Sequence, residues 1–95
     1  MSVRYRARAL SDLDEIYQYL EPRSPTGARN VLRSIHAAIG NLAQYPHSAE
    51  QTSEPDIRAK ILGRYRYKIF YSVTDEDTIE IIHVRHAARR PWRRG

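Results

Sequence analysis

From Ile57 to Val73, basic residues recur at almost every second position: Arg58, Lys60, Arg64, Arg66 and Lys68. The positions between them hold Ile57, Ala59, Ile61, Tyr65, Tyr67, Ile69 and Tyr71. Side chains alternate between the two faces of a strand. The stretch therefore reads as two strands, about 57–62 and 65–73, joined by a turn at Gly63-Arg64. One face is apolar and the other cationic, with no carboxylate inside the stretch. The apolar face must be covered by other parts of the chain, and the cationic face suits a polyanion or an acidic partner.

The cover is written upstream. Val3, Tyr5 and Ala7 alternate with Arg4, Arg6 and Arg8, which predicts a short first strand. Ser11 then opens a helical pattern, with Asp12, Asp14 and Glu15 suited to the positive end of the helix dipole. Its apolar stripe is Ala9, Leu10, Leu13, Ile16, Tyr17 and Leu20. Pro22 and Pro25 bracket a turn, and Ser24 can cap a second helix with Pro25 at its first position. That helix carries Ala28, Val31, Leu32, Ile35, Ile39 and Leu42 on one face and ends near Tyr45-Pro46. Gly40 within it costs about 1 kcal/mol against alanine, which suggests close packing there. Residues 47–56 read as a loop, 74–77 as a turn, and 78–85 as the last strand. A basic tail covers 87–95. The order β-α-α-β-β-β predicts an α+β fold, a helical hairpin packed on one face of a small antiparallel sheet.

Ninety-five residues make a single domain over 1–95 with a thin core, burying about 60–65% of the unfolded surface. Hydrophobic content of 41% is too high for a disordered chain of 28% charged residues. The net charge of +5 and pI near 9.9 point to nucleic acid, an acidic protein or a membrane surface as partner. The absence of cysteine excludes disulfides, zinc–thiolate sites and thiol nucleophiles. No apolar run approaches the roughly 18 residues of a membrane span, and a cytoplasmic location is expected.

On the expected fold, the sheet face away from the helices shows Arg4, Arg6, Arg58, Lys60, Arg66 and Lys68 as one positive platform. A solvated outer face is the plain alternative, although such faces usually mix signs. The end of the chain adds His83, Arg85, His86, Arg89, Arg90, Trp92, Arg93 and Arg94, in which arginine can fork a phosphate and Trp92 can stack or anchor. A basic tail that only aids solubility is the competing reading. His86, flanked by Arg85, suits a general base, or is structural. His83 lies three residues away and faces the other side of an unbroken strand. His36 and His47 read as incidental, the tyrosines as core, and Glu80 as the partner of a neighbouring cation. Glycine-rich phosphate loops and metal-ligand clusters are missing, so no metal and no cofactor is expected. Any catalysis would use Arg, Lys, His and Tyr on a surface, as in metal-free RNA cleavage.

Four segments together carry a resemblance. They are Ala9-x-x-Asp12-Leu13-x-x-Ile16-x-x-Tyr19-Leu20, Ile35-x-x-x-Ile39-x-x-Leu42-x-x-Tyr45-Pro46, Tyr65-Arg66-Tyr67-Lys68-Ile69-Phe70-Tyr71, and Ile79-x-Ile81-x-x-Val84-x-His86-x-x-Arg89. Their order and spacing, over about residues 3–90, resemble the ParE/RelE toxin superfamily of type II toxin–antitoxin modules, the plasmid stabilisation proteins. The resemblance implies a toxin neutralised by a cognate acidic antitoxin in a hetero-oligomer. The antitoxin would place apolar side chains beside the helical hairpin and acidic ones on the basic face. ParE-like members poison DNA gyrase without chemistry of their own. RelE-like members cleave messenger RNA on the ribosome. Carried onto this chain, the RelE-like version would use Arg58, Lys60, Lys68 and His86 as catalytic residues. Lys68 stands where those nucleases usually have arginine, and no tyrosine follows Tyr71. The stretch His86-Ala87-Ala88-Arg89-Arg90 is more similar to the ParE-like version, which is the favoured expectation. An inactive basic module that only binds its antitoxin is the third.

Overall fold

The computed structural model describes residues 1–75 and 77–87. The elements are β1 (Ser2–Tyr5), α1 (Ala7–Leu20), α2 (Pro25–Gln44), β2 (Glu50–Gln51), β3 (Arg58–Ile61), β4 (Tyr67–Asp75) and β5 (Thr78–His86). Two helices pack on one face of a five-stranded sheet of order β1-β5-β4-β3-β2, an α+β fold of the expected kind. Two features were not foreseen. First, β1 lies beside β5 and runs parallel to it, so the sheet is mixed. The helical hairpin carries the chain from one sheet edge to the other, and β1 finds the last strand as its neighbour. Second, β2 falls inside the expected loop and pairs with Ala59 and Arg58 of β3. Two polar residues carry no periodicity by which a strand could be read.

The second helix forms as its sequence dictates. The Ser24 Oγ accepts the Gly27 N–H at 3.0 Å, and Pro25 occupies the first turn. A Cβ on Gly27 would come within 2.9 Å of that Oγ, so glycine gives the cap its room. Ala28, Val31, Ile35, Ile39 and Leu42 are all buried. Nothing lies within 4 Å of a Cβ built on Gly40, so the expected close packing there is absent. The first helix begins at Ala7 rather than at Ser11, directly after the last β1 rung, in which the Arg6 N–H donates to the Ile81 carbonyl at 2.9 Å. Its inward face is Ala9, Leu13, Ile16 and Leu20, with Asp12 buried among them. Leu10 and Tyr17, expected in the stripe, are 55% and 40% exposed. The helix is rolled so that Asp12, not Leu10, meets the sheet.

The main core joins α2 to Ile69 and Tyr71 of β4 and Ile79, Ile81 and Val84 of β5. A smaller cluster of Ile57, Phe70 and Ile82, with Ala59 against it, forms on the opposite face. Register explains the split. Arg58 pairs with Tyr71 and Lys60 with Ile69, while Ala59 pairs with Phe70 and Ile61 with Lys68. Arg58 and Lys60 thus look to the helix side, and Ala59 and Ile61 to the outer side. The single parity expected from Ile57 to Tyr71 is broken in the turn. Arg66 adopts φ 60°, its N–H donates to the Leu62 carbonyl at 2.8 Å, and the chain re-enters β4 with its faces exchanged.

Tyr71 also ties the sheet to the end of α2. Its hydroxyl donates to the Pro46 carbonyl at 2.7 Å. Burial pushes this phenol above its ordinary value, against smaller opposing pulls from the Ala49 backbone and the Arg58 charge. A phenol raised in the folded state contributes stability that is full below about pH 10 and is lost as pH rises through the folded value. Tyr71→Phe should therefore flatten the alkaline fall of stability while costing about 1 kcal/mol at neutral pH, as read by urea unfolding at several pH values. Gly40→Ala should stabilise the chain by up to about 1 kcal/mol, since the added methyl meets open space on a helix. A lower urea midpoint would contradict that.

Candidate functional site

The positive platform does not form as one surface. Arg4 stands on the outer face opposite Glu80. The Arg6 Nε binds Glu80 Oε1 at 3.0 Å, a partly exposed pair that contributes about 0.2–1 kcal/mol. Glu80 is thus the partner of a neighbouring cation, as expected. Arg58 lies on the other face and spends its Nη1 on the Ala49 and His47 carbonyls, at 2.7 and 3.4 Å. Lys60 is exposed on that same helix side, and Arg66 sits in the turn. The expected site residues Arg89, Arg90 and Trp92 lie outside the described residues.

The outer face does gather one smaller cationic site. Lys68 and Arg85 are directly opposed across β4 and β5. Lys68 Nζ is 5.8 Å and the Arg85 guanidinium carbon 5.5 Å from the centre of the Phe70 ring, within reach of its negative face. Burial lowers the Arg85 pKa, and its Nη1 donates to the His86 carbonyl at 3.1 Å. A shallow groove runs from Lys68 and Phe70 past Ala59 and Ile61 to Glu50–Ser53, with Ile61 51% exposed. Such a floor can take an apolar side chain, and the paired cations an acidic group or a phosphate. His86 is on the helix side, edge-on to Tyr67 with ring centres 5.2 Å apart. His83 is buried on the outer side, stacked on Phe70 at 5.6 Å, so the two histidines face opposite ways.

Two participants were missed in the sequence. Phe70 shares the parity of Lys68, but one parity carried across the turn put Ala59 and Ile61 on the opposite face, so the apolar surroundings of Phe70 were not legible. Asp12 was read as a favourable charge near a helix start. It instead reaches β5, where its Oδ2 lies 2.6 Å from His83 Nδ1 and accepts the Val84 N–H at 2.9 Å. Its Oδ1 takes the Arg8 Nε at 3.3 Å. The available signal was a carboxylate at an inward position, between Ala9 and Leu13 and Ile16. Among the described residues no cluster of three His, Cys, Asp or Glu side chains could hold a metal.

The profile of the ParE toxin of type II toxin–antitoxin systems, parDE, matches residues 3–91. The chain belongs to the ParE toxin family. It is a toxin of the type II toxin–antitoxin kind, within the ParE/RelE superfamily. It is 35% identical over 85 residues to the Y4kP protein of Sinorhizobium fredii, covering 90% of this chain and 86% of that protein. It is 33% identical over 82 residues to Toxin RelE2 of Caulobacter vibrioides, covering 86% and 90% of the two chains. The fold is similar to the chromosomal ParDE system of P. aeruginosa, with TM-score 0.77 at 21% identity, covering 90% of this chain and 95% of that one. It is also similar to a mutant E. coli RelE toxin in complex with a RelBc antitoxin peptide, with TM-score 0.71 at 18% identity, covering 93% and 84%. Among the described residues no helix is long and apolar enough to cross a membrane.

Arg58 and Lys60 carry like charges on one strand but differ in what they hold. Arg58→Ala should cost about 1–2 kcal/mol, because a charged donor leaves two carbonyls of the α2–β2 connection. Lys60→Ala should stay within about 0.5 kcal/mol of the parent. Equal unfolding midpoints for the two variants would refute the difference.

Proposed function

We propose that this ParE-family chain acts without chemistry of its own, poisoning DNA gyrase, and that a cognate acidic antitoxin neutralises it. One observation carries the reading against a nuclease. The four residues of the RNA-cleaving alternative are divided by the sheet: Lys68 is on the outer face, while Arg58, Lys60 and His86 are on the helix side. Groups that share one phosphorane must converge within hydrogen-bond reach of it. Arg58 is further committed to two backbone carbonyls. The match of the ParE toxin profile over residues 3–91 supports the same choice.

The antitoxin reading is supported by the net charge of +5 and by the solved likeness to a RelE toxin bound to an antitoxin peptide. The Lys68–Arg85 pair over Phe70, beside the exposed Ile61, is the place where an acidic and apolar segment would gain most. A ribosome-dependent endoribonuclease is the second reading, favoured by the same opposed pair of cations and by the relatedness to Toxin RelE2.

The purified chain should inhibit supercoiling by gyrase and trap a DNA cleavage complex, and should leave cell-free translation running. Translation arrest with messenger cleavage, and normal supercoiling, would establish the second reading instead. Growth undisturbed by the chain alone would leave only the antitoxin-binding module. The affinity for the antitoxin should fall as salt rises from about 0.1 to 0.5 M, because exposed charge pairs are screened over a Debye length of about 10 Å at 0.1 M.

A further inference from the structure

Among the described residues, the end of β5 has a strand on one side only. The β1 ladder stops at Tyr5 opposite Ile81, and its last rung is the Arg6 N–H on the Ile81 carbonyl. Beyond it, β5 keeps β4 on one edge, and Asp12 of α1 reaches the other at His83 and Val84. The β4–β5 register is also interrupted here. Phe70 pairs with His83 and Tyr71 with Ile81, so Ile82 is one residue too many. That bulge sets every facing after it. Plain alternation from the inward Ile81 would turn His83 and Arg85 to the helices and Val84 and His86 to the outer face. With the extra residue, Val84 is buried in the main core, Arg85 stands opposite Lys68, and His86 meets Tyr67.

We infer that Asp12 is the positioning residue for this strand end: its carboxylate holds the bulge that assigns Arg85 and His86 to their faces. One oxygen, Oδ2, accepts the Val84 N–H at 2.9 Å and lies 2.6 Å from His83 Nδ1. It thereby acts on the two residues that follow Ile82 and replaces the strand that β1 does not supply. Among the described residues Asp12 and His83 are the two buried polar side chains, so this bond is made inside the protein rather than in water. The other carboxylate oxygen is oriented by Arg8. The assignment holds whichever target the toxin meets, since it concerns where the site's cations stand.

The test is NMR on the free chain. In Asp12→Ala, the Val84 amide should exchange at least tenfold faster relative to the α2 amide of Ile35, and the ring-to-ring cross-peaks between Tyr67 and His86 should vanish. In Asp12→Asn, which keeps the shape and a weaker acceptor, the Val84-to-Ile35 exchange ratio should rise a few-fold with the ring contact retained. The inference is overturned if the exchange ratio is unchanged in Asp12→Asn, an outcome that remains readable if the alanine variant fails to fold. It is overturned equally if Val84 and Ile35 accelerate together in Asp12→Ala, which is a general loss of stability, or if the ring contact survives there.

Discussion

One carboxylate connects the two layers of this molecule. Asp12 projects from α1 onto the edge of β5 and accepts the Val84 amide beside the His83 ring. Leaving that carboxylate buried and unmatched would be expensive, and hydrogen bonds to a charged group contribute about 1.5–3 kcal/mol each. The roll of α1 follows from it. With Asp12 turned inward, Leu10 and Tyr17 must turn outward, and Ala9, Leu13, Ile16 and Leu20 make the contact with the core. The β5 bulge follows as well, and with it the positions of the groups that a partner would meet.

The sheet separates its charges by what they serve. Arg58 and Tyr71 face each other on the helix side and fasten the connection that leaves α2, through the Ala49 and Pro46 carbonyls. Arg6 is matched to Glu80. The cationic character that remains on the outer face gathers around Phe70, where Lys68 and Arg85 meet over an aromatic ring. A partner that reads this face meets an apolar floor with two positive groups at one end, which selects for mixed chemistry more than for charge alone.

Much of this architecture was legible in the residues. Five of the six residues of the α2 stripe are buried and the sixth, Leu32, packs partly buried against the core, Ser24 caps as its type and spacing predict, and the helical hairpin on a sheet follows from the switch between periods of 3.6 and 2. What was not legible has physical causes. The turn from Leu62 to Arg66 exchanges the faces of β3 and β4, and nothing in the alternation of Arg58, Lys60 and Lys68 announces a positive φ at Arg66. Ile82 reads as one more apolar strand residue, although it is the bulge that puts Arg85 beside Lys68. The continuous platform was a consequence of carrying one parity across the turn from Leu62 to Arg66. The inward position of Asp12 between Ala9, Leu13 and Ile16 was visible, but its partners were not, since His83 and Val84 lie far along the chain.

The parallel pairing of Ser2 with Thr78 and Tyr5 with Ile81 has a temporal meaning. The strand between β1 and β4 is the last of the described strands to be synthesised. Contacts so distant along the chain carry a large loop-closure cost and slow folding. A growing polypeptide that has emitted both helices and β2 to β4 still lacks the element on which β1 and Asp12 dock, so the assembled surface comes into being only once β5 has been made.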